Sequence, residues 1–248
     1  MPVNTPMKSV EKVEDDLHLV KSLWGGTRAM RDAGKLYLPQ EPGEEKQNYD
    51  NRKDRSTLTN IFKRTINTYA GRLFSEPAEI LNQPAFDAFA ENVDLEGRDF
   101  NRFMYDLSRL TIRDGLRFIL IDAPVADGVE TRRDEQERGI RPYFIEVDRR
   151  DFLGAKYAQH GSREFFTQFR MKETATENVD EFEVKEVEQI RVIEPYLTRL
   201  YRKDGKGNWV LYQEIPTSIG YVPVVPVYAD RQGKVEAPPP LMDMAWLN

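Results

Sequence analysis

The sequence has no cysteine, which excludes disulfides, thiolate metal sites and cysteine nucleophiles in this chain and fits a reducing compartment. Histidine is nearly absent too. Only His18 and His160 occur, neither with a partner at the spacing of a helical metal pair, and both read as ordinary surface or boundary residues. No apolar run approaches the ~20 residues of a membrane span, and "MPVNTPMKSVEKVEDD" lacks the apolar centre of a signal peptide, so a soluble, non-exported chain is expected. An overall basic charge is lacking as well: the formal net charge is −6, which disfavours a generally basic nucleic-acid binder. Neither a Gly-x-Ser-x-Gly elbow nor a phosphate-binding P-loop is present, and "GKG" at 205–207 is accounted for by a hairpin turn. No cofactor and no bound metal is expected.

What is there is enough for a core. The 248 residues are 40% hydrophobic and 31% charged, compatible with one large domain or two small ones. Residues 13–33 predict a helix with acids in its first turn, interrupted or ended at Gly25-Gly26, with Trp24 packed beside the break. Residues 34–56 read as a polar surface loop that ends in a short helix. From Leu58 the pattern sharpens: Leu58, Ile61, Phe62, Thr65, Ile66, Tyr69 and Leu73 recur at helical spacing, with Ser56 or Thr57 as N-cap and "SEP" at 75–77 as the stop. A second amphipathic helix covers 99–115, Phe100, Phe103, Met104, Leu107 and Leu110 on one face and Arg98, Arg102, Arg109 and Arg113 gathered on the other. It runs through Gly115 into "LRFILIDAP", a buried-strand pattern.

Beyond the charged loop "VADGVETRRDEQERGIR" the character turns to β. "RPYFIEVD" alternates Tyr143, Ile145 and Val147, and "EFFTQFRM" alternates Phe165, Thr167, Phe169 and Met171. "KDGKGN" supplies a hairpin turn between Tyr/Leu/Trp-rich strands, and "IGYVPVVPVYAD", with Pro223 and Pro226, suits an edge or broken strand. Helices first and strands second predict an α+β fold, a helical portion at 1–125 ending in a core strand and a β-rich portion at 126–236. Residues 237–248, "APPPLMDMAWLN", predict a helix start with Pro240 in its first turn.

Two constellations carry chemistry. Asp122, Glu146 and Asp148 stand at strand ends, where carboxylates can hold a divalent ion for phosphodiester hydrolysis, although no lysine follows Glu146 at the offset of two. The arginine row Arg98, Arg102, Arg109 and Arg113 can face a subunit or DNA; Asp99, Asp106 and Asp114 interleave with it, and arginine outnumbers lysine in the chain, which favours subunit contacts.

Four segments in order, "AGKLYLP" (33–39), "NIFKRTINTYAGRLFSEP" (60–77), "IRDGLRFILIDAP" (112–124) and "RPYFIEVD" (141–148), resemble the amino-terminal half of a family of tailed-bacteriophage portal proteins. The resemblance continues through "RVIE" (191–194), the Trp-containing hairpin, "IGYVPVVPVY" (219–228) and "PPPLMDMAWLN" (238–248), while 173–188 matches nothing assignable. The positions that carry it are Tyr37, Leu38, Pro39, Phe62, Arg64, Gly71, Phe74, Pro77, Gly115, Asp122, Pro124 and Pro142.

The resemblance implies a portal wing-like fold, one wing-type domain overall, and a homo-oligomeric ring, typically of about twelve copies, at one capsid vertex. Double-stranded DNA is packaged and ejected through such a ring, which performs no bond chemistry. The implied partners are terminase, major capsid and scaffold proteins, the head-tail adaptor and the DNA itself, with no membrane; the implied location is the virion, after assembly in the host cytoplasm. Family members continue into long stem and channel helices. This chain is therefore expected to be the outer part, its last helix cut short and apolar surface exposed near Trp246 and after Tyr221. The alternatives are a metal-dependent phage nuclease built on Asp122, Glu146 and Asp148, or a monomeric head-morphogenesis or adaptor protein.

Overall fold

The computed structural model describes residues 2–81, 84–124 and 139–248; most of the charged loop, 125–138, lies outside the described residues. The fold is α+β, and the chain divides into two units, a helical one of residues 13–117 with 227–248 and a β one of residues 1–12 with 118–226.

In the helical unit, α2 (Glu14–Ala33) follows the sequence expectation, with Glu14, Asp15 and Asp16 complementing the dipole of its first turn. Its interruption is at Gly26, whose φ of 73° and ψ of −155° are non-helical, so two helical segments meet there at a kink. A 3₁₀ turn (Gly34–Leu36) and α3 (Lys46–Arg55) occupy the polar stretch.

Helix α4 (Ile61–Leu73) buries Phe62, Ile66 and Ala70 at i, i+4 and i+8. Its N-cap is Asn60, not Ser56 or Thr57: Asn60 Oδ1 accepts the Lys63 N–H at 2.8 Å. Ser56 is already engaged as the C-cap of α3, its hydroxyl donating to the Arg52 carbonyl. After α5 (Pro84–Ala90) comes α6 (Phe100–Asp114), capped by Asp99 and burying Phe103, Leu107 and Thr111. The last helix, α7 (Met242–Leu247), starts later than expected: Leu241 is its N-cap, so Pro240 lies before the first turn and not in it, and Ala245 is buried. One core joins Leu19, Val20, Leu23, Phe62, Ile66 and Ala245, with Trp24, Tyr37, Ile112 and Leu241 packed around it. Trp246 and Leu247 are exposed, whereas along the Pro-rich edge after Tyr221, itself exposed, Val222 and Val224 are buried and Val225 alone of the three valines is exposed.

Strand β1 (Leu116–Asp122) carries the chain from the helical to the β unit, and β8 (Val224–Tyr228) carries it back. With β2 (Tyr143–Val147) they form a three-stranded sheet of order β2-β1-β8, so the proline-bearing β8 is an edge strand, as Pro226 requires. A second sheet runs β3 (Phe152–His160), β4 (Arg163–Asn178), β5 (Val184–Glu194), β6 (Leu197–Lys203) and β7 (Trp209–Pro216), each antiparallel to its neighbours. Phe118, Phe152 and Phe169 cluster with centroids 4.6–5.1 Å apart, tilted or edge-on to one another, in the core of the β unit. A short helix, α1 (Lys8–Glu11), precedes α2, and ahead of it Met7 N–H donates to the Leu153 carbonyl at 2.8 Å.

The alternation expected along "EFFTQFRM" changes phase. Lys156 pairs with Gln168 and Tyr157 with Phe166, which leaves Thr167 as the extra residue of a bulge. Phe166 and Phe169 both turn inward as a result, and Phe165 is exposed. The unassigned stretch 173–188 is the outer half of the β4–β5 hairpin. Beyond Met171 and Gln189 neither β3 nor β6 continues beside it, so it projects as a two-stranded ribbon. Among the described residues no helix is long and apolar enough to cross a membrane.

Candidate functional site

Asp122, Glu146 and Asp148 do not form one carboxylate site. Strands β1 and β2 pair antiparallel, Asp122 opposite Tyr143 and Glu146 opposite Ile119, so the acids are strung along the ladder and Asp148 leaves at its far end. The reading of three acids at a shared sheet edge treated strand ends as neighbours, which antiparallel pairing forbids. Asp122 is instead engaged by Arg191, Nη1 to Oδ2 at 2.6 Å, and Arg191 also reaches Glu173 at 3.0 Å. Burial works to lower the Arg191 guanidinium, but Glu173 and Asp122 outweigh it and hold its pKa above the ordinary value. A cation at Asp122 would have to displace that arginine. No group of three His, Asp or Glu able to hold a metal occurs among the described residues.

The arginine row divides. Arg98 precedes α6 and pairs with Asp94; Arg102 is exposed and pairs with Asp106 at 3.0 Å, which Arg109 approaches at 3.8 Å. Arg109 and Arg113 both lie over the Trp24 ring, 5.4 Å from its centroid, and Lys63 joins them at 4.9 Å while donating to the Trp24 carbonyl. Arg113 is buried. It donates to Asp114 at 2.6 and 2.8 Å, and Arg117 donates to the same carboxylate at 2.7 and 2.9 Å. The expectation of one outward arginine face therefore fails at Arg113, because Trp24 of α2 lies across that side of α6. Helical spacing alone shows which residues share a face, not what covers it.

The positions of the resemblance fall into the fold as follows. Tyr37 is half-buried, its hydroxyl 2.7 Å from His18 Nδ1, and burial pushes its pKa up. Leu38 is half-buried and Pro39 exposed, its carbonyl accepting from Arg52 at 2.7 Å. Phe62 is buried in the core and Arg64 exposed on the opposite side of α4. Gly71 is exposed with open space where a Cβ would stand, and Phe74 packs edge-on to Tyr105 at 6.0 Å, before exposed Pro77. Gly115 closes α6 with φ 82°; a Cβ there would lie 2.3 Å from the Ala237 carbonyl oxygen and 2.4 Å from that of Pro238. Pro124 is half-buried and Pro142 exposed, accepting from Arg141 at 3.2 Å. The side chain of His160 lies outside the described residues.

Two polar groups that sequence reading missed complete the helical unit. Asn248 Oδ1 accepts the Phe62 N–H at 2.8 Å, and its amide donates to the Thr59 carbonyl at 3.2 Å, so this residue caps the start of α4 alongside Asn60. On the same helix, Asn67 Oδ1 is buried with no hydrogen-bond partner. An asparagine in a polar stretch carries no local signal of either role. Comparison with protein-family models and with curated proteins finds no match to the chain.

Proposed function

We propose that the chain is a structural subunit of a tailed-phage portal, the outer wing-type part of a homo-oligomeric ring through which double-stranded DNA is packaged and ejected. One observation carries the reading: segments of the resemblance far apart in sequence converge on a single core. Tyr37 of "AGKLYLP", Phe62 and Ile66 of "NIFKRTINTYAGRLFSEP", Ile112 of "IRDGLRFILIDAP", and Leu241 and Ala245 of "PPPLMDMAWLN" pack together. A shared pattern that were only a string of turns and helix faces has no reason to fill one core. The Gly115 junction supports it further, since the glycine of one segment is required by the carbonyls at the head of another.

A portal works by assembly, so its partners are further copies, terminase, capsid and scaffold proteins, the head-tail adaptor and the passing DNA, and its place is the capsid vertex. A net charge of −6 is compatible with DNA that slides past without adhering through its phosphates. Negative-stain imaging of the purified protein should show closed rings with a central hole, and gold-labelled antibody should mark one vertex of the particles. A monomer at every concentration with no label on particles would overturn the reading. Mg²⁺-dependent DNA cleavage abolished by Asp122→Asn would put the nuclease in its place.

A further inference from the structure

The β4–β5 ribbon ends in "ENVDEFEVKE" (177–186), which holds five acids and one lysine. Phe182 at the tip is 89% exposed, and Val179 and Val184 flank it in solvent. The tip is nevertheless shaped: Asp180 accepts the N–H groups of Phe182 and Glu183, both at 2.8 Å, and these bonds hold its carboxyl below the usual aspartate range. Among the described residues Glu181 and Glu183 have no ion-pair partner. A two-stranded ribbon without a covering layer is marginal in water, and an aromatic at its apex is the residue type that anchors interfaces.

The chain also carries a complementary surface. Helix α4 contains Lys63, Arg64 and Arg72 and no acid. Its outer side bears a shallow hollow of about 430 Å³ lined by Asn60, Lys63, Arg64, Asn67 and Thr68. Ile61 and Tyr69 on the same helix are exposed. Cations and apolar neighbours match carboxylates and a phenylalanine.

We propose that the ribbon tip of one copy docks into the α4 hollow of a second copy. Glu181 and Glu183 meet Lys63 and Arg64, and Phe182 covers the exposed Ile61 and Tyr69 beside them. Tip and hollow are different patches, so every copy gives one tip and receives one. Such a head-to-tail contact propagates, and it closes into a ring when the rotation between copies permits. The inference rests on the homo-oligomer of the preceding section, not on the portal assignment itself.

The absence of cysteine makes the test clean. Full-length Phe182→Cys and Arg64→Cys proteins, mixed and oxidised, are expected to give a disulfide-linked heterodimer that neither gives alone and that Phe182→Cys with Gln232→Cys does not give. Glu181→Arg with Glu183→Arg should lower association in sedimentation at least about tenfold, and adding Arg64→Glu should restore it, with unchanged circular dichroism. No heterodimer above the Gln232 control would overturn the proposal. So would a linkage within one chain when both cysteines are placed on the same copy, or a tip that crosslinks only to a different protein. Rings that form without the Phe182–Arg64 linkage would sink this contact and leave the portal reading standing.

Discussion

Asp114 accepts four hydrogen bonds from Arg113 and Arg117, and all three side chains are withdrawn from solvent. Removing its charge takes the shared carboxylate away from two buried guanidinium groups, which costs far more than breaking an exposed pair. Asp114→Asn should therefore lower the unfolding free energy by about 3–5 kcal/mol in urea titration, whereas Arg102→Ala, which breaks an exposed ion pair, should cost less than about 1 kcal/mol. Asp94 makes a second prediction. Burial would raise its carboxyl, but the N–H groups of Glu96 and Arg98 and the Arg98 side chain outweigh burial and hold it below the ordinary value. A carboxyl depressed in the folded state adds stability above its unfolded value, about pH 4, and loses it as pH falls through the folded value. The acid limb of melting temperature against pH should be shallower in Asp94→Asn than in the parent; parallel limbs would show that Asp94 is not linked to acid unfolding.

At the scale of elements, the junction from α6 to β1 depends on Gly115. A side chain there meets two carbonyl oxygens and a left-handed backbone at once, so Gly115→Ala should destabilise the protein by at least about 2 kcal/mol, read as a lower melting temperature. The sequence reading found this junction, and it found α4, α6 and the β6–β7 hairpin, because each is specified locally. Apolar residues repeat every three to four positions in the helices, and Asp204 in "KDGKGN" folds back onto the N–H groups of Lys206 and Asn208 at 2.8 Å. What was not legible depends on a partner. The phase of β4 is set by a bulge at Thr167 that exists only against β3, and the N-cap of α4 falls to Asn60 because Ser56 is already engaged by Arg52. Arg113 was expected to face a subunit or DNA because nothing on α6 reveals that Trp24 lies over it. The nuclease triad failed for the same reason: strand ends are adjacent in a list of motifs but not in an antiparallel ladder.

At the scale of the whole molecule, the helices-then-strands order was legible, whereas the threading was not. Each unit is assembled from two separate stretches of chain, and the crossings fall inside or beside elements with no change in composition to mark them. That threading fixes an order of events during synthesis. Met7 accepts through its sulfur from the Ala155 N–H, 148 residues later, and at about 5–20 residues per second its partner takes on the order of ten seconds to appear. The helical unit waits longer still, since its core is closed by Ala245 and the start of α4 is capped by Asn248. Helices α2, α4 and α6 are thus synthesised well before the residues that finish their core, and in that interval their apolar faces stand without their final cover, a window in which a chaperone or a neighbouring nascent copy can meet them.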